Sequence, residues 1–153
     1  MRLLTNPGSN LSPEQIDRYR VTILPQRILV DGVAHDTRDG IPFVTVDSWV
    51  RSAERWPSTI GTTATETVAA FQALAKEGAR HMLVVTTSKK VINSYESAVV
   101  ARDTFLQSPQ GHDAHIAIVD SGVTDVGANL VCALAGEAIA ARLSWDEVVS
   151  VAT

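Results

Sequence analysis

Two stretches of the chain carry apolar residues in unbroken runs, MLVV within His81–Thr86 and IAIV within His115–Val119. Such runs predict strands covered on both faces. Each is followed by a polar turn and then by apolar residues at helical spacing. Asn93–Gln107 predicts a helix with Tyr95, Ala98, Val99 and Phe105 roughly on one face, and Thr124–Leu143 predicts a long Ala-rich helix. Arg2–Thr5 is a shorter strand run, stopped by Asn6-Pro7-Gly8. Ser12-Pro13-Glu14-Gln15 has the spacing of a capping box and opens a short helix, Pro13–Tyr19. Val21–Val30 reads as a strand interrupted by Pro25, and Asp31-Gly32 between ILV and VAH signals a two-residue hairpin. Thr45–Trp56 predicts a helix with Val46, Trp49, Val50 and Ala53 on one stripe, ended by Trp56-Pro57. After the hydroxyl run from Ser58 to Thr65, a further helix turns Val68, Phe71, Leu74 and Ala75 inward and stops at Gly78. Ser144-Trp145-Asp146-Glu147 is another capping box.

Strands alternating with helices predict an α/β fold: an open, mainly parallel sheet with helices on both faces and right-handed crossovers. The segment 21–35 is then an inserted β-hairpin or an antiparallel edge. A length of 153 residues suits one domain, 1–153. Hydrophobic residues at 45% and charged residues at 20% exclude global disorder. A net charge of -4 argues against nucleic acid as partner. One cysteine allows no internal disulfide and no CxxC zinc site. With no leader-like start and no apolar run of roughly 18 residues, the expectation is a cytoplasmic domain with no membrane span.

In an open parallel sheet, ligands bind at the carboxyl ends of strands beside helix N-termini. Thr5-Asn6-Pro7, Thr86-Thr87-Ser88-Lys89-Lys90 and Asp120-Ser121-Gly122 should meet there, with Ser58–Thr63 alongside. Hydroxyls next to free N–H groups suit a carboxylate or phosphate; the plainer role for each hydroxyl is a helix cap. His112 and His115 stand at metal-ligand spacing, but in a turn-to-strand segment rather than a helix. Cys132 reads as core. Asp120 at a strand end is an acid, a base or, more often, a turn cap. No nucleotide-binding loop and no nucleophile–base pair is recognisable, so no catalytic residue, cofactor or metal is expected.

The segment Ser88-Lys89-Lys90-Val91-Ile92-Asn93-Ser94-Tyr95-Glu96-Ser97-Ala98 resembles, in frame, the S-S-x-L-S-G-T-Y-Q-S-A run of the N-terminal domain of the DegV family of bacterial fatty-acid-binding proteins. Asp120-Ser121 resembles the family's V-I-D-S, Thr59 stands at the Thr of T-S-Q-P-S, and Thr5 falls in the opening T-D-S turn. Ile23-Leu24-Pro25 to Gly32 is similar to its V-P-L…DG hairpin. The resemblance implies a fatty acid lying in a tunnel between two domains, its carboxylate held by hydroxyls. It also implies a fatty acid kinase as partner, to which the bound acyl chain is presented. By position it makes Thr59 and Ser88 the head-group hydroxyls, with Lys89, Asn93, Ser94, Asp120 and Ser121 completing the ligand-binding set.

The chain departs from the pattern at several of these positions. Lys89 replaces the family's second Ser, Ile92 another Ser, Asn93 the Gly and Asn6 the opening aspartate, and Thr59-Ile60-Gly61-Thr62-Thr63 replaces T-S-Q-P-S. The family's C-terminal domain has no counterpart in these 153 residues, so the expectation is either a fragment of a two-domain protein or a single-domain relative. A lone domain exposes half a tunnel, an apolar surface that favours a homodimer. The leading expectation is non-catalytic binding of a fatty acid or similar amphiphile. The alternative is a homo-oligomeric structural or regulatory relative that has lost lipid binding.

Overall fold

In the computed structural model, which describes residues 1–153, the run MLVV forms an inner strand of a four-stranded parallel sheet, buried on both faces, whereas IAIV forms an edge strand that is mostly half-buried, against the expectation of cover on both faces. The sheet order is β2-β1-β6-β7, with β1 Arg2–Thr5, β2 Thr22–Ile23, β6 His81–Thr86 and β7 His115–Asp120. Register is set by Leu4 opposite Val84 and by Val85 opposite Val119. Alternation along β1 and β6 sends neighbours to opposite faces. Leu3, Leu83 and Val85 join Val119, Cys132, Ala135 and Val148 on one side; Leu4, Met82 and Val84 join Phe71, Leu74, Ala98 and Phe105 on the other. Each large side chain so buried contributes about 1.5–3 kcal/mol. The helices accordingly divide between the faces: α1 (Pro13–Tyr19), α5 (Val126–Ala140) and α6 (Trp145–Val151) on the first, α3 (Ala64–Lys76) and α4 (Ser94–Leu106) on the second.

The hairpin is an insertion, as expected, and belongs to a second sheet rather than to an edge of the main one. Val21–Val30 is broken at Pro25, which has no N–H to continue the ladder. Upstream, Thr22–Ile23 pairs with β1, and Leu24 still donates its N–H to the Thr5 carbonyl at 2.7 Å. Downstream, β3 (Arg27–Val30) begins a second, antiparallel sheet of order β4-β3-β5, with β4 Val33–Asp36 and β5 Ser58–Ile60. Part of the hydroxyl run is thus a strand, Thr59 facing Ile28 across the ladder. Positive φ at Asp31 (46°) and Gly32 (85°) confirms the tight turn between β3 and β4.

The helix α2 spans Phe43–Ser52, starting earlier and stopping sooner than the stripe predicts. Val46, Trp49 and Ala53 are half-buried, whereas Val50 is exposed. The Asp31 carboxylate accepts the N–H groups of Glu54 and Arg55 at 3.1 Å, turning the chain out of the helix before Trp56. Helix α5 begins two residues later and ends three residues earlier than expected, at Val126 and Ala140. Cys132 is core as expected, its thiol pushed up to about 11 by burial. His112 is exposed and hydrogen-bonds Asp113, while His115 stacks on His81, so the H-x-x-H spacing joins nothing.

Candidate functional site

The strand-end loops converge as the sheet requires. Ser121 N–H donates to the Thr86 carbonyl at 3.1 Å and Ser88 N–H to that of Val123 at 2.8 Å. Asp120 accepts, through one carboxylate oxygen, the N–H groups of Lys89 (3.2 Å) and Gly122 (3.0 Å). Asp120 therefore ties the loop after β6 to the loop after β7. Ser121 closes its own turn by donating to Val123 O at 3.0 Å, and the buried Ser88 hydroxyl accepts the Lys90 N–H at 3.3 Å. Lys89 is exposed, its ammonium 5.3 Å from the centre of the Tyr95 ring.

Between these loops and the second sheet lies a cavity of about 610 Å³. Its lining brings together Thr59 of β5, Gln26, Thr87, Val91 and Ile92 with Pro7, Gly8, Asn10, Thr124 and Asp125. Of the seven residues expected to bind a ligand, only Thr59 lies directly on this cavity. Gln26, Asn10 and Asp125 stand on it without having been expected there, whereas Thr87 and Pro7 come from the strand-end loops expected to converge. A break at Pro25 is the signal that would have brought Gln26 to the carboxyl edge of the sheet, because β2 ends parallel to β1.

Asn93 and Ser94 open α4 beside β5. No side chain caps this helix, so its first N–H groups are free. Ser94 is 4% exposed and its hydroxyl has no partner. Gly61 lies directly over this start: a Cβ there would stand 2.9 Å from Asn93 Oδ1, 3.0 Å from Ile92 Cγ1 and 3.1 Å from Ser94 Oγ. Glycine at 61 thus permits the close approach of the β5 exit to α4. Helix α5 is likewise uncapped: Asp125, at φ 53°, instead holds Asn10 Nδ2 at 2.8 Å.

A buried amide underlies the cavity. Asn6 is 2% exposed; its Oδ1 accepts the Thr87 backbone N–H at 3.4 Å, and its Nδ2 donates to Thr87 Oγ1 at 3.0 Å and to Gln26 Oε1 at 3.2 Å. Gly8 packs against Thr87, where a Cβ would lie 3.0 Å from Thr87 Cγ2.

A parallel sheet with helices on both faces, and a polar cavity across its strand ends whose one charged side chain is Asp125, define an α/β domain open along its carboxyl edge. The chain belongs to the DegV family: the family model described as "Uncharacterised protein, DegV family" matches residues 1–153. Among solved structures it is similar to a DegV family protein from Thermus thermophilus described for fatty acid binding, at 21% identity and TM-score 0.85, covering 99% of this chain and 51% of that one. A stearic acid-binding protein from Eubacterium ventriosum matches at 21% identity and TM-score 0.85, covering 98% and 51%. The Fatty Acid Kinase B3 protein of Streptococcus pneumoniae, loaded with linoleic acid, matches at 18% identity and TM-score 0.81, covering 99% and 52%. The likeness confirms the α/β fold, and the chain spans about half the length of these proteins. No curated protein matches. No helix is long and apolar enough to cross a membrane.

Proposed function

We propose that this domain binds, without catalysis, the ionised head of a fatty acid or similar amphiphile at the carboxyl edge of its parallel sheet. The observation that carries the reading is the uncapped start of α4 with the buried, unpartnered Ser94 hydroxyl beside it. Free N–H groups and the positive end of a 13-residue helix attract an anion, and Thr59 adds a hydroxyl from the facing strand. Thr59 stands on the head-group side of the cavity, with Asn93 and Ser94 behind the lining residue Ile92 at the start of α4. Lys89 supplies positive charge at its mouth, and Ser88, Asp120 and Ser121 hold the loops in place. The domain acts in the cytoplasm and hands its acyl chain to a fatty acid kinase. The fatty acids held by the related structures support this assignment, as does the strand-end position of the cavity.

A second reading, a homo-oligomeric relative that has lost lipid binding, has one observation in its favour. Val126, Leu130 and Leu134 are 66%, 60% and 54% exposed and follow one another at one-turn spacing along α5. The two readings part on ligand binding. Calorimetry with palmitate, together with mass spectrometry of lipid released from the purified protein, is expected to find an acyl ligand. Thr59→Ala and Ser94→Ala should each weaken palmitate by about tenfold to a hundredfold, the loss of one donor to a charged acceptor. A protein that yields no acyl species, ignores added palmitate and sediments as a stable oligomer belongs to the second reading.

A further inference from the structure

The orientation of two donors on the floor of the cavity is set by one buried residue, Asn6. A backbone N–H only donates, so the bond from Thr87 N identifies the Asn6 atom facing it as the oxygen. The other end of the Asn6 side chain is then an NH2 group, which spends its protons on Gln26 Oε1 and Thr87 Oγ1. Both partners are thereby polarised. Gln26 has its oxygen engaged and its Nε2 protons free of any protein acceptor; Thr87 accepts from Asn6 and keeps its own hydroxyl proton to give. Both residues line the cavity.

We infer that Asn6 is a positioning residue that makes this floor read only acceptor atoms, so that the site selects an ionised carboxylate over a neutral head that carries its own donors. The inference rests on the function proposed above and names what that site discriminates. An ionised carboxylate offers two acceptor oxygens and no proton: one faces Thr59 and the α4 start, the other Gln26 and Thr87. A primary amide of the same length offers one oxygen and an NH2 group: with the oxygen on Gln26 and Thr87, the NH2 turns to Thr59, whose hydroxyl can accept it, and to the free N–H groups of α4, which cannot, so the amide makes fewer bonds than the carboxylate. Asp125 carries the cavity's only negative charge, which disfavours a carboxylate placed beside it. The arrangement also accounts for the departures within the family resemblance. With Lys89, Ile92 and Asn93 in place of motif residues on the α4 side, donors arrive from across the cavity instead.

The test compares dodecanoate with dodecanamide, at a pH where the acid is ionised, by calorimetry on the wild-type chain and on Thr87→Val, Gln26→Leu and Asn6→Asp. The wild type should prefer dodecanoate by about tenfold or more, and Thr87→Val and Gln26→Leu should each remove most of that preference. Asn6→Asp restores the residue of the family pattern, yet offers only acceptors to Thr87 and Gln26. Both then turn their donors inward and their oxygens to the cavity, so the preference should reverse toward the amide. Each variant's melting temperature separates loss of fold from loss of selectivity. Equal wild-type affinity for the two ligands, or a ratio untouched by all three variants, overturns the inference and leaves lipid binding standing. A wild type that binds neither ligand overturns both.

Discussion

Helix starts along the carboxyl edge of the sheet fall into two kinds. Those of α1 and α3 are closed by complete capping boxes, Ser12 with Gln15 and Thr63 with Glu66, each pairing a hydroxyl with a backbone N–H and a side chain returning to the cap. Those of α4 and α5 have no side-chain cap, and the residues around them line or flank the cavity. At the opposite edge α6 is boxed by Ser144 and Glu147. Along this edge capping is complete at α1 and α3 and missing at the two helices that meet the cavity; α2, outside the main sheet, also starts without a side-chain cap. A cap contributes about 1 kcal/mol. Forgoing two of them at one place leaves free donors where a ligand can use them.

The contrast can be broken most severely at Gly61. Gly61→Val places branched carbon against Asn93, Ile92 and Ser94, all at 3.1 Å or less from the first added atom. Overpacking should cost about 1–3 kcal/mol and push the β5 exit off α4, so that thermal unfolding shifts down and palmitate binding is lost together. The two kinds of helix start can be compared directly by a matched pair of cap mutants. Thr63→Ala should lower stability by about 1 kcal/mol in urea unfolding, whereas Asn93→Ala, with no cap bond to lose, should leave the midpoint nearly unchanged. Equal losses in the two would erase the distinction.

The α3 box also carries a pH signature. Glu66 accepts a hydrogen bond from Arg27 of β3, which holds its carboxyl down at about 2. Because the folded value is depressed, this contribution is present above the ordinary carboxyl value of 4.5 and is lost as pH falls toward 2. Side-chain exposures of 29% and 25% keep it modest, about 1 kcal/mol or less. Glu66→Gln should flatten the acid limb of a stability–pH curve in that window.

The sequence made the layered core legible because its runs are strong. MLVV suits a strand buried on both sides, and Phe71, Leu74, Ala98 and Phe105 recur at helical spacing and do pack on it. The second sheet was not legible because its third strand is short and polar. Ser58-Thr59-Ile60 is exposed throughout and is held by its pairing with β3, a long-range partner that no local pattern announces. The site divides in the same way. Strand-end loops were found as loops, since parallel topology dictates their convergence. Which side chains face the cavity depends instead on turn geometry: Ser88 and Ser121 spend their hydroxyls within their own turns, while Gln26 enters through the break at Pro25.

The smallest expected effect lies at the amino edge of the same sheet, where nothing faces the cavity. His81 and His115 are register partners on β6 and β7, their rings stacked at 4.8 Å and 9°, and Trp145 of α6 tilts over His81 at 5.2 Å. Burial, then the charge of His115 and of the chain's amino terminus, lowers the His81 value below its ordinary 6.5. A histidine whose folded value is depressed resists protonation only in the folded state. Its contribution to stability is thus full above 6.5 and declines as pH falls below that value, ceasing to change once the folded form also titrates. This window lies above that of Glu66, so the two separate in one titration. His81→Phe keeps an aromatic ring against Trp145 and removes the titrating group. The fall in melting temperature between pH 7 and pH 5 should be smaller in this variant than in the wild type, while palmitate affinity at pH 7.5 should be the same in both. A changed affinity would mean that the two edges of the sheet communicate, which the separation of their side chains gives no reason to expect.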